Sequence, residues 1–138
     1  MKIKIKRLHH EAVLPKYAKQ GDAGMDLTAV SCEKINIDHI KYNFGLALEI
    51  PEGFVGLIFP RSSCYKQWQM LSNCVGVVDS GYRGEVSAVM VGAHDKSYKV
   101  GDRVAQLIVM PVPYVDFEEV DNLSDTERGA GGYGSTGK

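Results

Sequence analysis

Cysteine is scarce in this 138-residue sequence: Cys32, Cys64 and Cys74 stand at wide spacings with no CxxC pair. The four histidines, His9, His10, His39 and His94, show neither HExxH nor His-x3-His spacing. A metal caged by protein side chains alone is therefore not expected. Adjacent His9 and His10 would point to opposite faces of a strand. An odd, scattered cysteine count reads as free thiols in a reducing cytoplasm. Net charge is nearly absent as well, since 17 acidic and 16 basic side chains leave −1. That balance argues against coating long nucleic acids, which requires neutralising many phosphates at once. A basic pocket for one small anion stays allowed. No apolar run approaches the ~18 residues of a membrane helix; the longest, residues 104–113, is broken by Gln106, Pro111 and Pro113. The basic start, MKIKIKRLHH, has no apolar block behind it and is not expected to be a secretory signal.

What is present is ordinary globular composition, 44% apolar and 24% charged. The length suits one compact domain over residues 1–138, with a β core to residue 120 and a distinct C-terminal arm from 121. Period-2 patterning dominates. Lys2 to Lys6 alternate with Ile3 and Ile5, an edge strand whose lysines discourage pairing with other chains. The run FVGLIF at residues 54–59 follows a Pro51-Glu52-Gly53 turn and stops at Pro60. Val86, Ala88 and Met90 form one strand face, and residues 104–109 read as a strand covered on both sides. Only residues 63–71 suit a helical turn or two. Short strands with frequent turns and almost no helix imply an all-β sandwich or barrel-like fold.

The last eighteen residues, DNLSDTERGAGGYGSTGK, differ in kind: five of the fifteen glycines fall in the final ten positions. Each glycine loses much backbone entropy on ordering, so this stretch cannot build a core. By composition it is either a mobile tail or an arm that orders when something binds. Residues 132–138 match the start of GxxxxGK[ST], but the chain stops where the Ser/Thr and helix belong. It is not a Walker A loop, although successive glycine amides can still make a nest for phosphate oxygens.

Four other segments carry chemistry. Residues 22–29 (DAGMDLTA) set a carboxylate in a glycine-relieved strand start, and residues 60–63 (PRSS) end a strand with a cation and two hydroxyls. Residues 73–84 (NCVGVVDSGYRG) read as strand, tight hairpin, strand, with Asp79 and Tyr82 near the bend. Residues 101–106 (GDRVAQ) turn into a buried strand bearing an amide. With the glycine-rich arm, these segments resemble, in order, the five signature motifs of the trimeric dUTPases, the dUTP diphosphatases. The resemblance runs from Asp22 to Gly137.

That resemblance implies a jelly-roll-like, β-clip subunit with a flexible Gly-rich C-terminal arm. It also implies a cytoplasmic homotrimer with shared active sites, acting with Mg2+ on dUTP to give dUMP and pyrophosphate. No nucleic-acid or membrane partner is expected. Asp79 then corresponds to the general base that orients the attacking water. Tyr82 lies under the deoxyribose and leaves no space for a 2′-hydroxyl. Gly76, Val77, Val78, Asp79 and Ser87 line the uracil pocket, chiefly through main-chain groups, with Asn73 fixing the base edge. Cytosine would reverse the donor and acceptor pattern there and leave buried groups unpaired. Arg61, Ser62 and Ser63 contact phosphates, and Gln106 reaches the α-phosphate region. Asp26 holds magnesium through water while the triphosphate supplies the direct ligands, an arrangement suited to an ion that dehydrates reluctantly. In the arm, Arg128 meets the γ-phosphate, Tyr133 stacks on the uracil, and Gly134, Ser135 and Thr136 cover the phosphates.

Three positions depart from the family pattern. Tyr133 stands where Phe is common, Ser63 where Gly is usual, and Gly81 where the hairpin often has an acidic residue. Two rival readings remain: a dCTP deaminase-like enzyme, which needs a glutamate acting on the base amino group, and a non-catalytic nucleotide-sensing trimer.

Overall fold

The computed structural model describes residues 1–92 and 95–133. Among the described residues ten strands form in chain order: β1 (Lys4–Arg7), β2 (Met25–Thr28), β3 (Ser31–Lys34), β4 (His39–Asn43), β5 (Leu46–Glu49), β6 (Phe54–Pro60), β7 (Gln69–Leu71), β8 (Gly76–Val78), β9 (Ser87–Gly92) and β10 (Arg103–Pro111). The all-β class expected from the period-2 pattern is the one observed. The helical expectation for residues 63–71 shrinks to one 3-10 turn, Cys64–Gln67, which Trp68 closes in the left-handed region at φ 52° before β7 begins. Among the described residues no helix is long and apolar enough to cross a membrane.

Two four-stranded sheets, ordered β2-β10-β6-β8 and β3-β4-β9-β7, and a two-stranded ribbon of β1 with β5 make up the architecture. All the ladders are antiparallel. Side chains from both large sheets and from β5 meet in one apolar core, including Leu27, Tyr42, Leu46, Ile58, Met90 and Val104. β10 is long and central because residues 104–107 include three nearly solvent-free apolar side chains, Val104, Ala105 and Leu107. Removing such side chains from water stabilises the fold by roughly 1.5–3 kcal/mol for each large one. One polar knot crosses the core. The Tyr42 hydroxyl donates to Gln69 Oε1 at 3.1 Å and lies 3.2 Å from the Tyr98 carbonyl oxygen, and the two tyrosine rings meet edge to face. Burial pushes both phenols above their usual range.

The expected tight hairpin over residues 73–84 is not what forms. β8 pairs with β6 in one sheet, whereas β9 pairs with β4 and β7 in the other. Eight residues, 79–86, lie between them and carry the chain across. A connection of that length is too long for a two- to five-residue hairpin loop, and each strand finds its partner in a different sheet. The local bend survives as a turn, with the Tyr82 amide donating to the Asp79 carbonyl at 3.1 Å.

Candidate functional site

β8 is an edge strand, bonded to β6 on one side only. Its outer row of N–H and C=O groups has no strand partner, as suits recognition of a flat ligand edge by backbone. Gly76 can pack there because a side chain at that position would press on Ile58 at 3.1 Å. Beside β8 lies a cleft of about 190 Å³. Seven residues singled out in the sequence line it together: Asn73, Gly76, Val77, Val78, Asp79, Tyr82 and Ser87. The cleft is smaller than the roughly 300–1,000 Å³ of drug-sized sites and closer to the scale of a nucleobase with part of its sugar. A groove of about 550 Å³ lined by Ser80, Gly81 and Arg83 among others is larger but holds none of those seven, so size does not mark the site.

Tyr82 takes its orientation from its neighbours. Its hydroxyl donates to the Glu85 carbonyl at 3.1 Å, and its ring lies where a side chain on residue 84 would otherwise stand. Only glycine leaves that room. Glu85 also lines the cleft, but its carboxylate accepts the Gly45 amide at 2.8 Å and serves to tie the crossing loop to the turn before β5.

A second cluster forms at β2, β6 and β10. Asp26 receives Arg61 Nε at 2.9 Å on one carboxylate oxygen and Arg103 Nη1 at 3.0 Å on the other. Arg61 further reaches Ser63 Oγ at 3.4 Å. Gln106 sits opposite Asp26 in the β2–β10 register, and a Cβ on residue 24 would press on its side chain at 3.2 Å, which favours the glycine in the DAGMD segment. Ser62 is exposed at the adjoining bend. Two guanidinium groups against one carboxylate leave a net positive charge beside an amide and hydroxyls. That is a cradle for an anion with several oxygens.

The strand registers separate the two clusters within one chain. Asp26 stands level with Phe59 of β6, through Gln106, while Asp79 follows Val78, which stands opposite Gly56. Three strand spacings across and four residues along amount to roughly 20 Å. The described part of the arm, to residue 133, joins neither cluster. Among the described residues Arg128 Nε donates only to the Gly131 carbonyl, at 3.0 Å, and the Tyr133 ring is fully exposed. Gly134, Ser135 and Thr136 lie outside the described residues. No group of three or more His, Cys, Asp or Glu able to hold a metal occurs among the described residues.

A family profile described as dUTPase matches residues 10–137. The chain belongs to the dUTPase family. The deoxyuridine 5′-triphosphate nucleotidohydrolase of Corynebacterium glutamicum is 44% identical over 141 residues, covering 99% of this chain and 95% of that protein. The protein of the same name from Gloeothece citriformis is 41% identical, covering 99% and 97%. Among solved structures, a mutant dUTPase of Staphylococcus bacteriophage 80alpha with dUpNHpp superposes with a TM-score of 0.87 at 24% identity, over 99% of both chains. A phage phi11 dUTPase mutant, described with a structural Mg(II) ion, gives 0.76 at 20% identity over 88% and 98%. Both superpositions speak to the fold, the jelly-roll-like β-clip of dUTPases.

Four residues of the two clusters carried no site role in the sequence reading. Ile58 and Val86 wall the cleft, Glu85 braces the loop, and Arg103 shares Asp26 with Arg61. Arg103 stood inside the quoted GDRVAQ segment. Its task depends on a register irregularity between β10 and β2 that no local spacing announces.

Proposed function

We propose that this protein hydrolyses dUTP to dUMP and pyrophosphate, with Asp79 as general base. The observation that carries the reading is the 190 Å³ cleft, where an unpaired strand edge, Asn73, Asp79 and Tyr82 converge in a chain of the dUTPase family. Uracil pairs with the free backbone edge of β8, and Asn73 and Ser87 complete the base contacts. The Tyr82 ring packs under the deoxyribose. Asp79 takes a proton from water as its oxygen bonds to the α-phosphorus. The bond from that phosphorus to the bridging oxygen breaks, and pyrophosphate carries the electron pair away. Arg61, Ser62, Ser63 and Gln106 hold the phosphates, and the positive charge of the Asp26 cluster favours the departing anion.

The cofactor is Mg2+. Both Asp26 oxygens are taken by guanidinium groups, and no other carboxylate cluster is at hand among the described residues. The donor set therefore fits an ion held by the triphosphate and touched by Asp26 only through water. When bound, such an ion would screen the negative charge of the phosphates.

The protein works as a homotrimer. An α-phosphate cannot lie against both Asp79 and the Asp26–Arg61 cluster of one chain when these are roughly 20 Å apart along the sheet. A cleft from one subunit and a phosphate cradle from another meet that requirement. The exposed apolar side chains of residues 112–123 support assembly, since Phe117 is 95% and Leu123 88% exposed in the isolated chain. The arm of residues 121–138 reaches across subunits, where Arg128 and Tyr133 close over the nucleotide with Gly134, Ser135 and Thr136. The enzyme is cytoplasmic, in keeping with its three free cysteines. A dCTP deaminase needs a glutamate free to act on the base amino group, and Glu85 is committed to Gly45.

The decisive experiment replaces Asp79 with Asn. The variant binds dUTP with magnesium and turns it over at least about a hundredfold more slowly. Pyrophosphate release at the parental rate would remove Asp79 from the mechanism.

A further inference from the structure

We infer that Arg83 is a positioning residue that fastens the loop carrying Asp79 and compensates for the glycine at position 81. The inference rests on Asp79 acting as the base. Asp79 is the first residue beyond the β6–β8 ladder, which ends with Gly56 opposite Val78. From there the chain crosses between sheets without strand pairing, and Gly81 adds no side-chain contact to hold it. An unbraced glycine loop samples many conformations, and a base that wanders by about 1 Å loses on the order of a hundredfold in rate.

The structure supplies one brace. Arg83 Nη1 donates to the Ser80 carbonyl at 2.6 Å and to the Tyr82 carbonyl at 2.9 Å. That nitrogen carries two N–H groups, so one atom spans the turn with a charge-assisted bond on each side. The same turn is closed by the Tyr82 amide on the Asp79 carbonyl at 3.1 Å, so tightening residues 80–82 fixes Asp79 itself. The guanidinium is steered from behind. Glu49, bonded to Lys4 Nζ at 2.8 Å, lines the same groove as Arg83, and its carboxyl is held low by that hydrogen bond and, more weakly, by the charge of Arg83. The base pocket does not depend on this brace, because the backbone of β8 is fixed by its ladder with β6. The Tyr82 ring keeps its own anchor through its hydroxyl on the Glu85 carbonyl, so loss of Arg83 strikes turnover more than binding.

The test measures pyrophosphate release from dUTP, with Asp79→Asn in parallel. Arg83→Met lowers kcat about tenfold and leaves KM within about twofold. Arg83→Lys, with a single flexible ammonium in place of the fork, falls between it and the parent. Amide exchange at Tyr82 quickens in Arg83→Met, a change that a surface charge with no hold on the turn would not produce. Adding Gly81→Ala to Arg83→Met restores most of kcat. Gly81 lies outside the left-handed region and has open space for a methyl group, so alanine stiffens the loop without strain. Parental kcat and unchanged Tyr82 exchange in Arg83→Met overturn the inference, as does a loss confined to KM. A double variant that stays slow refutes the compensation between Arg83 and Gly81. A fully active Asp79→Asn instead overturns the base assignment, whatever Arg83 does.

Discussion

Gly84 has no contact to offer a nucleotide, yet it determines where the Tyr82 ring can lie. A Cβ at residue 84 would fall 2.6 Å from Tyr82 Cζ and closer still to its hydroxyl oxygen. Gly84 is not in the left-handed region, so alanine brings no backbone strain, and the ring is the part that moves. Eviction costs the hydroxyl's bond to the Glu85 carbonyl, about 1 kcal/mol at an exposed site, plus about 1 kcal/mol if the ring settles off-rotamer. The domain should tolerate that loss, because the core contacts of Val86 and Ala88 are untouched. What changes is the sugar-facing wall of the cleft. With the ring displaced, a 2′-hydroxyl is no longer excluded, and the ratio of kcat/KM for dUTP to that for UTP falls about tenfold, or about 1.4 kcal/mol of discrimination. Steady-state kinetics of Gly84→Ala on both nucleotides, beside a thermal melt, checks this directly. An unchanged ratio with an unchanged melt would refute the role given to the Tyr82 ring. A collapse of the melting temperature would show that Gly84 is needed by the fold itself.

Removing residues 127–138 leaves the fold and its melting temperature nearly unaltered, since the described part of that segment bonds only within the arm, and abolishes most dUTP turnover; full activity after truncation would eliminate the closing arm. Alkaline titration sets Tyr42 and Tyr98 apart among the seven tyrosines, because burial raises both phenols above their usual range. Because their folded pKa values are raised, the stability they confer is complete below pH 10 and is lost as pH rises through the higher folded values. Tyrosinate absorbance read together with the melting temperature tests that order, and seven coincident ionisations in the folded protein would contradict it.

Much of this site was legible in the chain itself. Period-2 patterning located the strands near Lys4 and Ser87, because a half-buried strand must alternate its faces, and short apolar runs located those near Phe54 and Val104. The segments around Asp26, Arg61, Asp79 and Gln106 carried their chemistry in residue type and order. The hairpin expected at residues 73–84 failed for a definite reason. Two neighbouring strands look alike whether they pair with each other or with separate sheets, and only the long-range ladders of β8 with β6 and of β9 with β4 decide between the two.

Residue order alone thus determined the all-β character, the glycine-rich arm and the ordered segments that carry the resemblance to dUTPases, because turn chemistry, alternation and motif spacing act over a few neighbours. Tertiary structure decided the rest. It gathered seven predicted residues into one cleft, gave Asp26 two arginine partners far away in sequence, and turned Glu85 toward Gly45. It also held the Asp26 cluster away from the β8 cleft of the same chain. Distances of that kind follow from which strands share a sheet and in what register, and those are properties of the assembled core that no short stretch of sequence contains.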